Sequence, residues 1–359
     1  MTLEEFGYSE WFAAQIDPET ESGQTVARVT AIHKGECEVS DGEETHAAKM
    51  TGRMRHQATS KLDYPTVGDW VLVKDFEGEG FGRIVRVLDR QSELKRKSSG
   101  RTTRHQLIAA NIDVAFIMQT LGPGYNLKRL ERYLVMVNES GIEPAVLLSK
   151  SDLLKPEELA VKIAEVEERM PGIRVFTFSN VDRDGLDEVM ALFEPKKTYC
   201  VIGTSGVGKT SLLNNLLGEE DYLFTLPVRD KDGKGLHSTT WRELITLDNG
   251  AHVVDTPGMR ELGNLDVNEG IDETFDDILA LSAQCKFNDC SHVLTKGCAV
   301  IAAVERGQIA EARYNNYVRL MKEAAFHEQS ALEKRDHDKK LSRFYRSTLG
   351  QSRKMKGDA

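Results

Sequence analysis

The residues of this chain best suited to chemistry lie in Gly203-Thr204-Ser205-Gly206-Val207-Gly208-Lys209-Thr210-Ser211. The spacing G-x-x-x-x-G-K-[ST] makes a phosphate cradle. Its glycines let main-chain N–H groups close around phosphate oxygens, Lys209 reaches the β and γ phosphates, and the Thr210 hydroxyl can ligate Mg2+. The apolar run Cys200-Val201-Ile202 before it reads as a buried strand, and the leucine-bearing stretch after Lys209 as the first turn of a helix, whose N-terminus favours an anion.

Two further segments would act on the same ligand. Ser149-Lys150-Ser151-Asp152 resembles the guanine-reading N-K-x-D pattern, with Ser149 where asparagine is usual. A carboxylate at Asp152 would accept from the ring N–H and the exocyclic amino group of guanine, a pattern that adenine cannot match without leaving buried groups unpaired. Ser149 can bond neighbouring loop backbone but reaches less far than asparagine. Ser179-Asn180 falls where a small loop would meet the guanine O6. Asp255-Thr256-Pro257-Gly258 resembles the D-x-x-G switch, in which Asp255 would hold Mg2+ through water and the Gly258 N–H would sense the γ-phosphate.

The charged, glycine-broken stretch 219–241 must hold the first switch, with Thr239 or its neighbour Thr240 capping Mg2+ and the γ-phosphate. Met259 follows Gly258 where a water-orienting glutamine is common, so intrinsic hydrolysis should be slow. His237 is the candidate to orient the water in its place, against the alternative of a solvent-exposed loop histidine. Cys285, Cys290, His292 and Cys298 form a different centre. Three thiolates and one imidazole in a short segment match a closed tetrahedral Zn2+ site that serves folding, and Lys286, Asn288, Asp289 and Lys296 make the stretch too polar for core cysteines.

The elements that must position these residues can be read from pattern. Residues 112–118, 143–148, 174–178 and the run from Thr198 read as strands, and 127–138, 156–169 and 185–192 as helices. This alternation calls for a parallel sheet covered on both faces, with ligands at the carboxyl ends of its strands. Arg242–Leu247 and Ala251–Val254 read as two strands joined by a turn at Asp248-Asn249-Gly250. The order is unusual: the base-reading segments precede the phosphate loop, so the domain is circularly permuted. Ahead of it, runs at 26–32, 36–39, 47–50, 68–73 and 82–88 suggest a five-stranded barrel such as the OB-fold, with Arg53, Arg55, His56 and Lys61 in one long loop tilting the barrel toward RNA. Phe6, Tyr8, Trp11 and Phe12 suggest a short docking helix, and 94–104 a basic linker. Beyond the cysteines, 299–304 and 309–327 read as helices.

Composition bounds the rest. The chain has 359 residues, 40% hydrophobic and 29% charged, enough for two or three domains. No run of about 18 apolar residues occurs and the start lacks a signal-peptide pattern, so a cytoplasmic protein with no membrane partner is expected. The net charge is −10, yet 339–356 holds basic residues and no acid, as an RNA-contacting tail or a plain solvated helix would.

With these residues in place the chain resembles the RsgA/YjeQ family of circularly permuted GTPases over nearly its whole length. The fold expected is α/β: a permuted P-loop GTPase domain (106–270), an N-terminal segment and OB-fold barrel (1–95), and a C-terminal helical zinc-binding domain with a basic tail (271–359). The resemblance implies a cytoplasmic GTPase that binds the small ribosomal subunit and its rRNA late in assembly, cycles between GTP and GDP, is stimulated by the subunit, and uses His237 catalytically. A monomer is expected. Ser149 and Leu236-His237-Ser238 depart from the family pattern, which suggests a divergent or paralogous member. The other readings are an ATP-using P-loop enzyme and a nucleotide-regulated RNA-binding zinc protein.

Overall fold

Short alternating runs in the first quarter of the chain build a barrel. After helix α1 (Glu10–Ala13) come strands β1 (Thr25–Ile32), β2 (Cys37–Ser40), β3 (Thr45–Met50), then helix α2 (Gly52–Gln57), β4 (Trp70–Lys74) and β5 (Gly82–Val87). They pair in the order β1-β2-β3-β5-β4 and close by β4 on β1, the five-stranded OB arrangement. Ala27, Val29, Val39, Ala48, Val71, Val73 and Ile84 fill the interior. The computed structural model describes the chain apart from residues 20, 34–35, 75–80, 98–104, 123, 205, 219–241, 256–270, 272–273, 288–289, 294 and 329–359, and apart from the side chains of 96, 97, 105, 255 and 323–328.

Two local expectations change. Arg53, Arg55 and His56 are exposed on α2 rather than in a loop, because the Thr51 hydroxyl caps the Met54 N–H at 3.3 Å and closes the turn. The segment expected as a linker begins as a strand. β6 (Glu93–Lys97) pairs antiparallel with β7 (His105–Ala110), and Leu94, wholly buried, anchors this ribbon in the core.

The nucleotide-type sheet follows: β8 (Val114–Thr120), α3 (Leu127–Glu139), β9 (Glu143–Ser149), α4 (Pro156–Arg169), β10 (Arg174–Phe178), α5 (Leu186–Met190), β11 (Thr198–Ile202), α6 (Lys209–Leu217), β12 (Arg242–Thr246) and β13 (His252–Asp255). The strand order is β10-β9-β8-β11-β13-β12, all parallel except β12. Strands buried on both faces read as unbroken apolar runs. Alternate residues feed two cores: Ala115, Ile117, Val146 and Leu148 meet Leu130, Leu134 and Val166 of α3 and α4, whereas Phe116, Met118, Leu147 and Val201 meet Leu186, Val189 and Leu212 of α5 and α6. β1 also pairs with β12, so barrel and parallel sheet are continuous.

The C-terminal part is helical: α7 (Asp276–Ser282), α8 (Ala299–Glu305) and α9 (Glu311–Glu328). Its core of Ile271, Phe275, Ile278, Val300 and Leu320 reaches Val135 on α3.

Candidate functional site

The phosphate loop joins β11 to α6, and its glycines are dictated by close approach. A Cβ on Gly203 would sit 2.3 Å from the Met118 carbonyl oxygen, and Gly208, at φ +97°, would put one 2.8 Å from Asn180 Nδ2. Lys209 opens α6, and its ammonium donates to the Gly203 and Thr204 carbonyls at 2.8 Å each, which holds the charge in the mouth of the loop. Thr210 and Ser211 follow in the first helical turn.

The base-reading segments arrive from two neighbouring strand ends. Ser149 ends β9, Lys150 turns the chain at φ +62°, and Ser151 and Asp152 form a single helical turn. The Ser149 hydroxyl, wholly buried, lies 2.7 Å from the Val207 carbonyl of the phosphate loop and 3.3 Å from that of Gln119. Beyond β10, the Ser179 hydroxyl donates to Asp152 Oδ1 at 2.6 Å and accepts from the Val181 and Asp182 N–H groups. Asn180 Nδ2 donates to the Gly208 carbonyl at 3.2 Å. Ser149 and Asn180, with Asp152 held by Ser179, thus meet the phosphate loop at Val207 and Gly208, at one rim of the sheet. β13 delivers Asp255 to the same edge, beside β11. Its side chain lies outside the described residues, as do Ser205, His237, Thr239, Thr240, Gly258 and Met259.

The order along the chain, base-reading strands before the phosphate loop, is what a permuted domain requires. The RsgA GTPase family model matches residues 87–265. The Small ribosomal subunit biogenesis GTPase RsgA 2 of Lactiplantibacillus plantarum is 39% identical over 91% of this chain and 91% of its own, and that of Vibrio parahaemolyticus 35% identical over 98% and 94%. The chain belongs to the RsgA GTPase family. Among solved structures, YjeQ from Thermotoga maritima is similar at a TM-score of 0.63 and 30% identity, over 84% of this chain and 99% of its own. The circularly permuted GTPase YloQ is similar at 0.59 and 26%, over 88% and 100%. The fold is therefore that of the permuted GTPases, with barrel and cysteine–histidine cluster appended, and membership of the RsgA GTPase family makes the chain a GTP-hydrolysing enzyme.

The second candidate centre fits a metal. One ligand atom each from Cys285, Cys290, His292 and Cys298 lies within 4.8 Å of the others. A tetrahedral centre with metal–sulfur bonds of about 2.3 Å and metal–nitrogen bonds of about 2.0–2.1 Å puts sulfurs about 3.8 Å apart and sulfur and nitrogen about 3.6 Å apart. Cys285 and Cys298 Sγ are 3.8 Å apart, and His292 Nδ1 is 3.7 and 3.4 Å from them. The Ala299 and Ile301 N–H groups at the start of α8 point at Cys285 and Cys298 Sγ, an outer shell suited to thiolates. Tyr314 of α9 donates to the His292 carbonyl at 2.7 Å.

Other polar residues of consequence carried no local signal. Asn215 of α6 donates to Asn180 Oδ1 at 3.1 Å and is itself held by Arg183. Arg28 of β1, buried against Phe6 and Trp70, donates to Thr198 Oγ1 and to the Phe6 carbonyl at 2.7 Å each, fastening the barrel to the foot of β11. Desolvation pushes its pKa down to about 10, with Asp113 and Asp69 opposing, so it remains charged at neutral pH.

Proposed function

We propose that this chain is a Mg2+-dependent GTPase that acts on the small ribosomal subunit late in its assembly and hydrolyses GTP to GDP and phosphate when engaged by it. The convergence of Ser149, Asp152, Ser179 and Asn180 on the phosphate loop carries this reading, and the names of its relatives support the partner. In this mechanism the main-chain N–H groups of residues 204–209 and the Lys209 ammonium stabilise charge on the transferred phosphoryl group. Asp152 and Lys150 hold the base. Thr210, Thr239 and Asp255 would hold Mg2+, which neutralises phosphate charge, Gly258 senses the γ-phosphate, and His237 orients the attacking water. Cys285, Cys290, His292 and Cys298 would hold one Zn2+ that stabilises the helical domain.

The barrel and the helical domain would meet rRNA. Arg53, Arg55, His56 and Lys61 are exposed and grouped on α2 and the turn after it, as phosphate contacts require. We take the protein to be a cytoplasmic monomer divided at 1–95, 106–270 and 271–359. Phosphate release from GTP, measured with and without small ribosomal subunits, tests the proposal. Turnover should rise with added subunits and saturate. No release in either condition would favour the nucleotide-regulated RNA-binding reading.

A further inference from the structure

Guanine offers two kinds of edge: N–H donors, which a carboxylate such as Asp152 matches, and the acceptors O6 and N7, which need donors from the protein. Ser149 stands where an asparagine would bring two N–H donors, and a hydroxyl brings one proton. Its Oγ lies 2.7 Å from the Val207 carbonyl and 3.3 Å from the Gln119 carbonyl, both acceptors, in a position closed to solvent. That single proton is spent on carbonyls of the phosphate loop and of β8, and none is left for a ligand. Asn180 makes a parallel tie: its Nδ2 donates to the Gly208 carbonyl at 3.2 Å while its Oδ1 accepts from Asn215 at 3.1 Å. Two consecutive phosphate-loop carbonyls are therefore tethered to the two base-reading loops.

We infer that Ser149 is a positioning residue, a clamp from the end of β9 to the phosphate loop, and that the N7 edge of guanine goes unread in this GTPase. The inference rests on the guanine-nucleotide reading proposed above. Discrimination then falls to Asp152 and the loop at Ser179-Asn180, and the hydroxyl at position 149 serves base and phosphate only by fixing the loops that touch them.

The test uses the full-length protein and two ligands, GDP and 7-deaza-GDP, in which a C–H replaces N7 and the other edges are unchanged. The wild-type chain should bind the two within about twofold of each other. Ser149→Ala should weaken both by the same factor, about tenfold or less, since it removes one neutral hydrogen bond and leaves the ratio alone. A loss of about tenfold or more for the deaza analogue on the wild type would overturn the inference. So would a Ser149→Ala protein that loses affinity for GDP but not for 7-deaza-GDP. The wild-type comparison needs no variant, so it decides the matter even if Ser149→Ala fails to fold. Binding of neither ligand by the wild type would instead overturn the guanine-nucleotide reading itself.

Discussion

At the scale of single residues, the site depends on side chains that hold main-chain groups in place. Lys209 is bonded to the loop it belongs to, through the Gly203 and Thr204 carbonyls, so its charge is pre-aimed at the phosphate position. Lys209→Ala should lower GTP turnover by about 10²–10³, the usual cost of one preorganised charge-stabilising donor. Phosphate release at saturating GTP checks it, and unchanged turnover would remove the loop from the mechanism. The type and spacing of Gly203 to Ser211 already announce this role, because a phosphate loop works through local backbone geometry. The partner of Ser149 could not be read that way, since Val207 is 58 positions away and the contact exists only once β9 and β11 are placed two strands apart around β8.

At the scale of elements, two short segments carry loads that their lengths conceal. The β12–β13 hairpin buries His252, whose Nε2 donates to the Glu5 carbonyl at 3.2 Å and whose Nδ1 accepts from Thr246 at 3.0 Å, with Phe6 packed edge-on at 5.0 Å. Burial, with the Arg28 charge adding to it, pushes its pKa down to about 4 from the ordinary 6.5. Between those values the unfolded chain takes up a proton that the folded one refuses. This contribution is therefore complete above about pH 6.5 and is lost as pH falls toward 4, by about 2 kcal/mol at pH 5. Urea midpoints at pH 7.5 and 5 should separate by less in His252→Gln than in the wild type. The cysteine–histidine segment is the other case. Mercurial capture of its thiols should liberate one equivalent of zinc per chain and lower hydrogen-exchange protection in α7 and α8, while GDP binding at the phosphate loop persists. Retained protection after metal release would deny the site its folding role.

At the scale of the whole molecule, two buried cations join the parts. Arg28 fastens barrel to sheet, and Arg313 of α9 fastens the helical domain to it. The Arg313 guanidinium donates to Asp277 at 2.7 and 2.9 Å, to Glu131 of α3 at 3.1 Å, and to the Thr274 and Arg169 carbonyls, while Glu131 also accepts from Arg169 at 2.6 Å and from Asn316 at 2.5 Å. Burial opposes the charge, but Asp277 and Glu131 outweigh it and hold the Arg313 pKa above its usual value. Arg313→Met should cost about 3–5 kcal/mol by stranding buried acceptors. Hydrogen exchange should show the loss first in α7 and α9, and an unaltered α9 would mean that apolar packing alone holds the domain. The same joint ties α9 to α3 and to the end of α4, the two helices that cover one face of the parallel sheet.

The amino-acid sequence by itself determined the phosphate loop, the strand–helix alternation, the permuted order and the cysteine–histidine spacing, since each is a pattern of near neighbours along the chain. Tertiary structure alone decided that Ser149 and Asn180 grip the phosphate loop, that the presumed linker opens as a ribbon anchored by Leu94, and that Arg28, His252 and Glu131 are buried polar joints. Those facts are pairings of groups tens to hundreds of positions apart. A polar residue in the sequence looks the same whether water or a distant carbonyl will satisfy it, and only the folded chain chooses between them.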